Sequence, residues 1–328
     1  MGIASKFQHG MTFARARVLG SKVPLVVSMV VTNRCNYACA YCDRWDGRGA
    51  RLETEQLEAM LTDMARLGTR RVVFTGGEPL IRKDMVGLID HAVQLGIAVN
   101  LNSNGALVPR YIDRLAGLST LTISLDGDRH VHDGIRGDGA FDGVVAALRA
   151  VERHSHIKRR LTAVISAQSI GGEDALLDLA RHERVTVFFQ PAENERLGSG
   201  GGDNPIAPPL ERYRETIDHL IKQKRLGAPI ANSLSGLRYL RGWPDAPALP
   251  CAGSFLFCRV DQAGRLMICG RMGAYEESFD AATLGFEKAF LSLNPARCPT
   301  CWCASRVEVN QAFALRPDAI VALASGMD

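Results

Sequence analysis

The chain has 328 residues and 46% apolar content, enough for two domains or one large barrel around a sizeable core. Its net charge of +4, with both signs alternating along the chain, does not point to nucleic acid as a partner. The first apolar run, Val23 to Val31, contains Pro24 and is too short to cross a bilayer, so neither a secretory signal nor a transmembrane segment is expected, and a cytoplasmic location is.

In chain order, residues 1–24 come first, with Phe7, Met11, Ala14 and Val18 at helical spacing and Lys6, Arg15 and Arg17 elsewhere on the wheel. This predicts a short basic amphipathic helix that caps one end of a barrel or, on a second reading, meets a lipid or acidic substrate. Leu25–Val31 is an apolar strand. A helix follows from Thr54, as its N-cap, to Leu67, with Leu57, Met60, Leu61 and Met64 as its stripe. Arg71–Thr75 is extended, and the helix after Asp84 carries Met85, Leu88, Ile89 and Ala92. Ile97–Leu101 and Leu121–Leu125 are strands flanking a helix near Tyr111–Ala116. Phe141–Arg153 is helical, Leu161–Ile165 extended, Ala175–His182 helical and Val185–Gln190 extended. A longer helix spans Leu210–Arg225, with Tyr213, Ile217, Leu220 and Ile221 on one face. Six such strand–helix units argue for a parallel sheet with helices outside, curved into a partial barrel rather than a closed eightfold one. Ligands in such folds sit at the carboxyl ends of the strands. Gly198–Gly202 with Pro205, Pro208 and Pro209 suits a linker or lid, and the proline-rich residues 227–250 suit a connection between domains.

The nine cysteines fall into two groups: Cys35, Cys39 and Cys42 near the start, and Cys251, Cys258, Cys269, Cys298, Cys301 and Cys303 near the end. An odd count in tight spacings suits metal ligation in a reducing compartment better than a disulfide framework. The C-x3-C-x2-C run, with Tyr41 before the third thiol, can hold three corners of an iron–sulfur cube and leave one iron open. It leaves the carboxyl end of the first strand, where ligands bind. Three polar turns fall on the same face. Gly76-Gly77-Glu78-Pro79 follows the second strand; its glycines would let the backbone approach a ligand and its carboxylate would take an ammonium group. Asn102-Ser103-Asn104-Gly105 follows the third, and Ser124-Leu125-Asp126-Gly127 ends the fourth.

On these residues the chain resembles the radical S-adenosylmethionine (SAM) enzymes. Cys35-x3-Cys39-x-Tyr41-Cys42 is similar to that family's cluster signature, and Gly76-Gly77-Glu78-Pro79 to its amino-group motif. The resemblance implies an α/β fold, a partial (β/α)6 TIM-like barrel, with Cys35, Cys39 and Cys42 on a 4Fe–4S cluster whose open iron chelates SAM. Tyr41 would lie near adenine, and Gly76, Gly77, Glu78 and Pro79 would take the amine. Ser103, Asn104, Ser124 and Asp126 would contact ribose or carboxylate. His132-Asp133-Gly134-Ile135-Arg136-Gly137 resembles a segment of relatives that carry an auxiliary cluster, and Arg136 would pair with the SAM carboxylate, its bland alternative being a surface arginine in a Gly-rich turn. Cys251-x12-Gly264-x4-Cys269 and Cys298-x2-Cys301 resemble the SPASM and twitch domains, with Val260–Arg265 as a hairpin turn. One auxiliary 4Fe–4S cluster is then expected, most simply on Cys251, Cys269, Cys298 and Cys301, with Cys258 or Cys303 as substitutes and four thiolates around zinc as the alternative chemistry. The expected division is an N-terminal helix at 1–24, the barrel at 25–226, a linker at 227–250 and a small twitch-like auxiliary domain at 251–328.

The function the resemblance implies is reductive cleavage of SAM to a 5′-deoxyadenosyl radical that abstracts hydrogen from a substrate C–H, with an electron donor such as flavodoxin or ferredoxin. Only 24 residues precede the first strand, which favours a small natural-product or sugar-like substrate over a ribosomal peptide or lipid. A non-catalytic iron–sulfur or zinc scaffold is the competing class, against which the Gly76–Pro79 turn speaks. Gln190, Glu193, Glu195 and Tyr239 stand where acid–base or substrate contacts would be, and none is singled out as catalytic.

Overall fold

The structure, a computed structural model, describes residues 3–42, 47, 51–192, 204–270, 277–295, 298 and 300–327, with the backbone alone at 3–10 and 324–327. Helix α1 (Ile3–Leu19) leads into strand β1 (Val26–Thr32). Five further strand–helix repeats follow. They comprise α2 (Thr54–Arg66), β2 (Arg71–Gly76), α3 (Met85–Gln94), β3 (Ala98–Ser103), α4 (Val108–Tyr111), β4 (Thr120–Ser124), α5 (Arg129–Arg136), α6 (Ala140–Glu152), β5 (Lys158–Ile165), α7 (Glu173–His182), β6 (Thr186–Pro191) and α8 (Leu210–Arg225). Then come α9 (Leu234–Leu240), β7 (Phe257–Val260), β8 (Arg265–Met267), β9 (Phe279–Asp280), α10 (Ala281–Leu284), α11 (Phe286–Ser292), α12 (Ala304–Phe313) and α13 (Pro317–Met327). Short 3-10 turns lie at Pro79–Ile81 and Ile112–Arg114.

One sheet in the order β6-β5-β4-β3-β2-β1-β7-β8-β9 carries the fold, with β1 through β6 all parallel. The β-branched and apolar run of β1 explains its place: Val27, Met29, Val30 and Val31 are all buried. The predicted α2 stripe of Leu57, Met60, Leu61 and Met64 faces the core, as do Met85, Leu88, Ile89 and Ala92 of α3. Gly264 adopts φ +87 in the hairpin between β7 and β8, where Asp261 Oδ1 accepts from Ala263 N and Arg265 N at 2.9 Å each.

Five local features differ from the sequence expectation. Helix α1 buries Ala16 and packs Phe13 edge-on against Phe313, while Met11, Ala14 and Val18 are exposed, because the helix docks on the C-terminal region through its other side. The N-cap of α2 is Glu53, in a reciprocal capping box with Gln56, and Thr54 turns its hydroxyl to Asp84 Oδ2 at 2.7 Å. Residues 129–136 form helix α5, capped by Asp128, so Arg136 sits buried on a helix and not in a surface turn. Residues 227–250 contain α9, whose Leu237, Tyr239 and Leu240 are buried. Strand β7 adds to the open edge of β1 in parallel, pairing Val26 with Phe257 and Met29 with Val260, so the barrel sheet continues into the C-terminal hairpin.

That pairing makes Phe257 a core residue shared by the two ends of the chain. Phe257→Ala is expected to cost about 3–5 kcal/mol and to lower the denaturant midpoint of the whole molecule in one transition; two separated transitions would show that β7 is not part of the barrel core.

Candidate active site

The cysteine loop leaves the carboxyl end of β1, and the β1–β2 register continues past the strand ends to hold it. Gly77 N donates to Thr32 O at 2.8 Å, and Glu78 N donates to Arg34 O at 2.9 Å. A Cβ on Gly76 would collide with the Thr32 carbonyl oxygen, and one on Gly77 with that of Arg34. The two glycines therefore make room for the backbone that enters the cysteine loop, a closer need than the ligand approach expected of them. Pro79, also buried, opens the 3-10 turn that follows.

Glu78 is fully buried and binds protein donors. Its carboxylate accepts from Leu80 N at 3.1 Å, from Ser103 Oγ at 3.1 Å and from Asn104 N at 2.8 Å. It thus staples the turn after β2 to the turn after β3. Burial pushes its pKa from 4.5 up to about 7, against these three hydrogen bonds. Asn104 reaches on to the cysteine loop: Nδ2 donates to Asn36 Oδ1 at 2.8 Å and points at Cys35 Sγ at 3.8 Å.

Asp126, buried at the end of β4, accepts from Val164 N at 3.0 Å through one oxygen and from Arg136 Nε at 2.6 Å through the other. Arg136 then donates to the Tyr41 hydroxyl and directs Nη1 at Cys39 Sγ, 3.9 Å away. Burial opposes the Arg136 charge, but Asp126, Tyr41 and Cys39 outweigh it and raise its pKa. Asp126 N donates to His132 Nδ1 at 3.1 Å, and burial together with Arg136 lowers the His132 pKa to about 4, so the ring is neutral. Its Nε2 is buried without a partner. Ser124 pairs with Thr162 in the sheet.

Around the three thiols, Tyr37 N donates to Cys35 Sγ at 3.4 Å, and Ala40 N donates to Ile135 O at 3.0 Å, tying the loop to α5. Burial pushes the Cys39 thiol up to about 11; Arg136 opposes that rise, and Cys42 and Cys35 add to it. The three sulfurs are thus close enough to act on one another. Arg82 brackets the loop. Its Nη1 donates to Val31 O and Leu52 O, both at 3.0 Å, while Nε and Nη2 hold Asp84 at 3.0 and 2.5 Å.

In the second cysteine group, Asn310 on α12 is the organiser. Its Oδ1 accepts from Ala252 N at 2.9 Å, and its Nδ2 points at Cys301 Sγ at 3.7 Å and also bonds Cys251. Cys298 and Cys301 lie near Tyr239, whose hydroxyl accepts from Cys301 N at 3.1 Å and donates to Pro247 O at 2.7 Å. Cys269 is half-buried against the core beyond Ile268, which with Cys251 flanks Gly253. Cys303 is the N-cap of α12, and Cys258 is fully buried mid-strand in β7, where burial drives its pKa far up. Gln190 fastens this segment to β6, with Nε2 donating to Trp302 O at 2.9 Å and Oε1 accepting from Ala304 N at 2.6 Å. These bonds make it a strut between β6 and α12, at the wall of the barrel lumen. Glu193, Glu195 and the Gly198–Gly202 loop lie outside the described residues. Among the described residues no three histidine, cysteine, aspartate or glutamate side chains meet at a single-ion site.

Residues 29–165 match the family model of the Radical SAM superfamily. The chain is 27% identical over 260 residues to the mycofactocin maturase MftC of Mycolicibacterium smegmatis, 76% of this chain and 65% of that protein. It is 30% identical to the Fe-coproporphyrin III synthase of Methanosarcina barkeri, over 62% of this chain and 52% of that one. It is 38% identical to the PqqA peptide cyclase of Rhodopseudomonas palustris, over 32% of this chain and 29% of that one. The chain thus spans under two thirds of the length of each of these relatives. Among solved structures, Streptococcus suis SuiB bound to S-adenosylmethionine shares the fold, with a TM-score of 0.67 and 16% identity over 87% of this chain and 70% of that one. No described helix is long and apolar enough to cross a membrane.

Sequence reading missed Arg82, His132 as a buried neutral ring, and Asn310. Arg82 and Asp84 stand close after Gly76–Pro79, a pairing that can be seen in sequence; Asn310 offers no such signal.

Two outcomes follow from these contacts. Arg82→Ala leaves the Val31 and Leu52 carbonyls without this donor and Asp84 with Thr54 alone, and is expected to cost about 1–3 kcal/mol in chemical denaturation. For Glu78, the folded form holds its proton more tightly than the unfolded chain, so stability falls as pH rises between 4.5 and about 7. Thermal melts across that window should show the decline in the wild type and its absence in Glu78→Gln.

Proposed function

We propose that the chain is a radical SAM enzyme acting on a peptide. Cys35, Cys39 and Cys42 would hold a 4Fe–4S cluster. The observation that carries this is the shell around their sulfurs: Tyr37 N and Asn104 Nδ2 at Cys35, and the Arg136 guanidinium at Cys39. N–H donors and a cation aimed at sulfur favour the charged thiolates that a cluster requires. When bound, the cluster and SAM supply one-electron cleavage of the sulfonium and a 5′-deoxyadenosyl radical that removes hydrogen from an unactivated C–H.

The chain's own residues do the positioning. Gly76, Gly77, Glu78, Pro79, Ser103 and Asn104 fix the turn that would face the SAM amine. Tyr41, Ser124, Asp126 and Arg136 form the wall on the α5 side. Cys251, Cys269, Cys298 and Cys301 would hold one auxiliary cluster, with the chain divided at 1–24, 25–226, 227–250 and 251–328. Flavodoxin or ferredoxin would supply the electron.

A peptide substrate is supported by the PqqA peptide cyclase likeness and by SuiB, which is also solved with its precursor peptide SuiA. The small-molecule reading rests on the Fe-coproporphyrin III synthase likeness. Deuterium transfer into 5′-deoxyadenosine from a labelled precursor peptide or a labelled tetrapyrrole separates the two.

Anaerobically reconstituted protein reduced with dithionite should form 5′-deoxyadenosine from SAM and contain about eight irons. Cys39→Ala should lose product and about half the iron, whereas Cys298→Ala should lose the other half and keep uncoupled SAM cleavage. Wild-type protein that binds only zinc would overturn the proposal.

A further inference from the structure

The barrel strands begin at the end opposite the cysteine loop. That amino end carries most of the large apolar side chains left exposed among the described residues. Helix α1 lies there: Phe13 packs on Phe313, Phe313 stacks on Phe255 at 6.3 Å, and Val23 N, three residues before β1, donates to Phe255 O at 2.7 Å. The helix buries Ala16 and turns Met11, Val18 and Leu19 outward, the last two at 79% and 69% exposure. Leu226, after α8, is exposed four residues before Ile230, which pairs with Val187 near the start of β6. Val93, also exposed, is in the last turn of α3, where the chain turns to begin β3. Exposed Val321 of α13 lines a cavity with Thr120 and Thr186, the first residues of β4 and β6.

Cations are set among them. Arg15 is exposed on α1, Arg70 immediately before β2, Arg184 two residues before β6, and Arg225 beside Leu226. Residues 1–22 hold Lys6, Arg15, Arg17 and Lys22 and no carboxylate. Against them, the same end of the barrel has Glu152, Glu183, Asp113, which Arg153 meets at 3.7 Å, and Asp318, which accepts from Ser235 N at 2.7 Å. By the 3.6-residue period, Arg15 falls on one side of the Met11–Val18 stripe and Arg17, held over the Phe313 ring, on the other. Apolar groups so flanked can enter a bilayer interface while the guanidiniums reach its headgroups.

Single exposed apolar side chains are ordinary, but here α1, α3, α8 and α13 each bring one or more to the same end. A bound peptide follows one line and touches few of these elements, whereas a plane meets them together. A second copy set on this face by a twofold axis would bring the arginines against their own images.

We propose that the amino end of the barrel docks on an anionic lipid bilayer, with α1 lying along the interface. The cysteine loop, at the carboxyl end, then faces away from lipid, so the bilayer is an anchorage and not a source of substrate. The docking needs neither cluster nor SAM.

Co-sedimentation of the anaerobically reconstituted full chain with vesicles tests this. Vesicles of about one third phosphatidylglycerol in phosphatidylcholine should bind it roughly tenfold more tightly than phosphatidylcholine alone, and added salt should abolish the difference. Arg15→Gln should weaken binding about fivefold, and Val18→Ser about tenfold. Leu284→Ser should leave it unchanged, because α10 sits at the other end of the barrel, where Ala281 N donates to Gly264 O at 2.9 Å in the turn after β7. Absent binding, equal binding to the neutral vesicles, or unchanged affinity in Val18→Ser would each overturn the proposal. So would a dimer in sedimentation equilibrium that Val18→Ser dissociates, which would assign the face to a second copy. Failure to cleave SAM would leave these outcomes unaffected and would count against the enzyme reading alone.

Discussion

Where β1 and β2 end, their pairing does not. Thr32 still faces Gly76, beyond a register irregularity after Val30, and the amides of Gly77 and Glu78 go on to satisfy the carbonyls of Thr32 and Arg34. The first residues of the cysteine loop are thereby treated as sheet, and this works only because two successive positions on the partner chain lack a Cβ. Arg82 holds the same loop at its two roots, through Val31 O before it and Leu52 O after it. A loop that must present three thiols in a fixed arrangement is in this way anchored by backbone bonds at one end and by a buried guanidinium at both.

The polar groups behind the loop act on it through one another. Glu78 orders the turn carrying Asn104, which touches Asn36 and Cys35. Asp126 orders Arg136, which touches Tyr41 and Cys39. Each chain begins at a buried carboxylate and ends at a sulfur. A buried carboxylate is tolerated when its oxygens are met by donors, and both are. The arrangement places positive and N–H character at the sulfurs while the negative groups stay one residue further away.

Much of this was legible in the sequence. Strand–helix alternation located the six parallel strands, because β-branched apolar runs and amphipathic stripes differ in period. The cysteine loop and the turns after β2, β3 and β4 were found as motifs, and all lie at carboxyl ends. The internal wiring was not legible. Nothing in Gly76-Gly77 says that their neighbour is the Thr32–Arg34 backbone, and nothing in Ser103 or Asp126 says that each faces a protein group. Helix α5 was hidden because Gly134 and the flanking Gly137 imitate a turn, while the Asp128 cap and burial of His132, Ile135 and Arg136 decide for helix. The buried side of α1 was misplaced because Phe313, its partner, lies at the far end of the chain.

The union of β7 with β1 joins the first strand of the molecule to one from its last quarter. During synthesis β1 emerges early, and its outer edge has no mate until the C-terminal segment has left the ribosome. For most of translation that edge is a row of unanswered amides and carbonyls beside valines, the kind of surface that invites pairing with a stranger. Such a distant closure makes assembly slow. It also means that the pocket wall and both sulfur-bearing regions mature together, once β7 has reached the edge of β1.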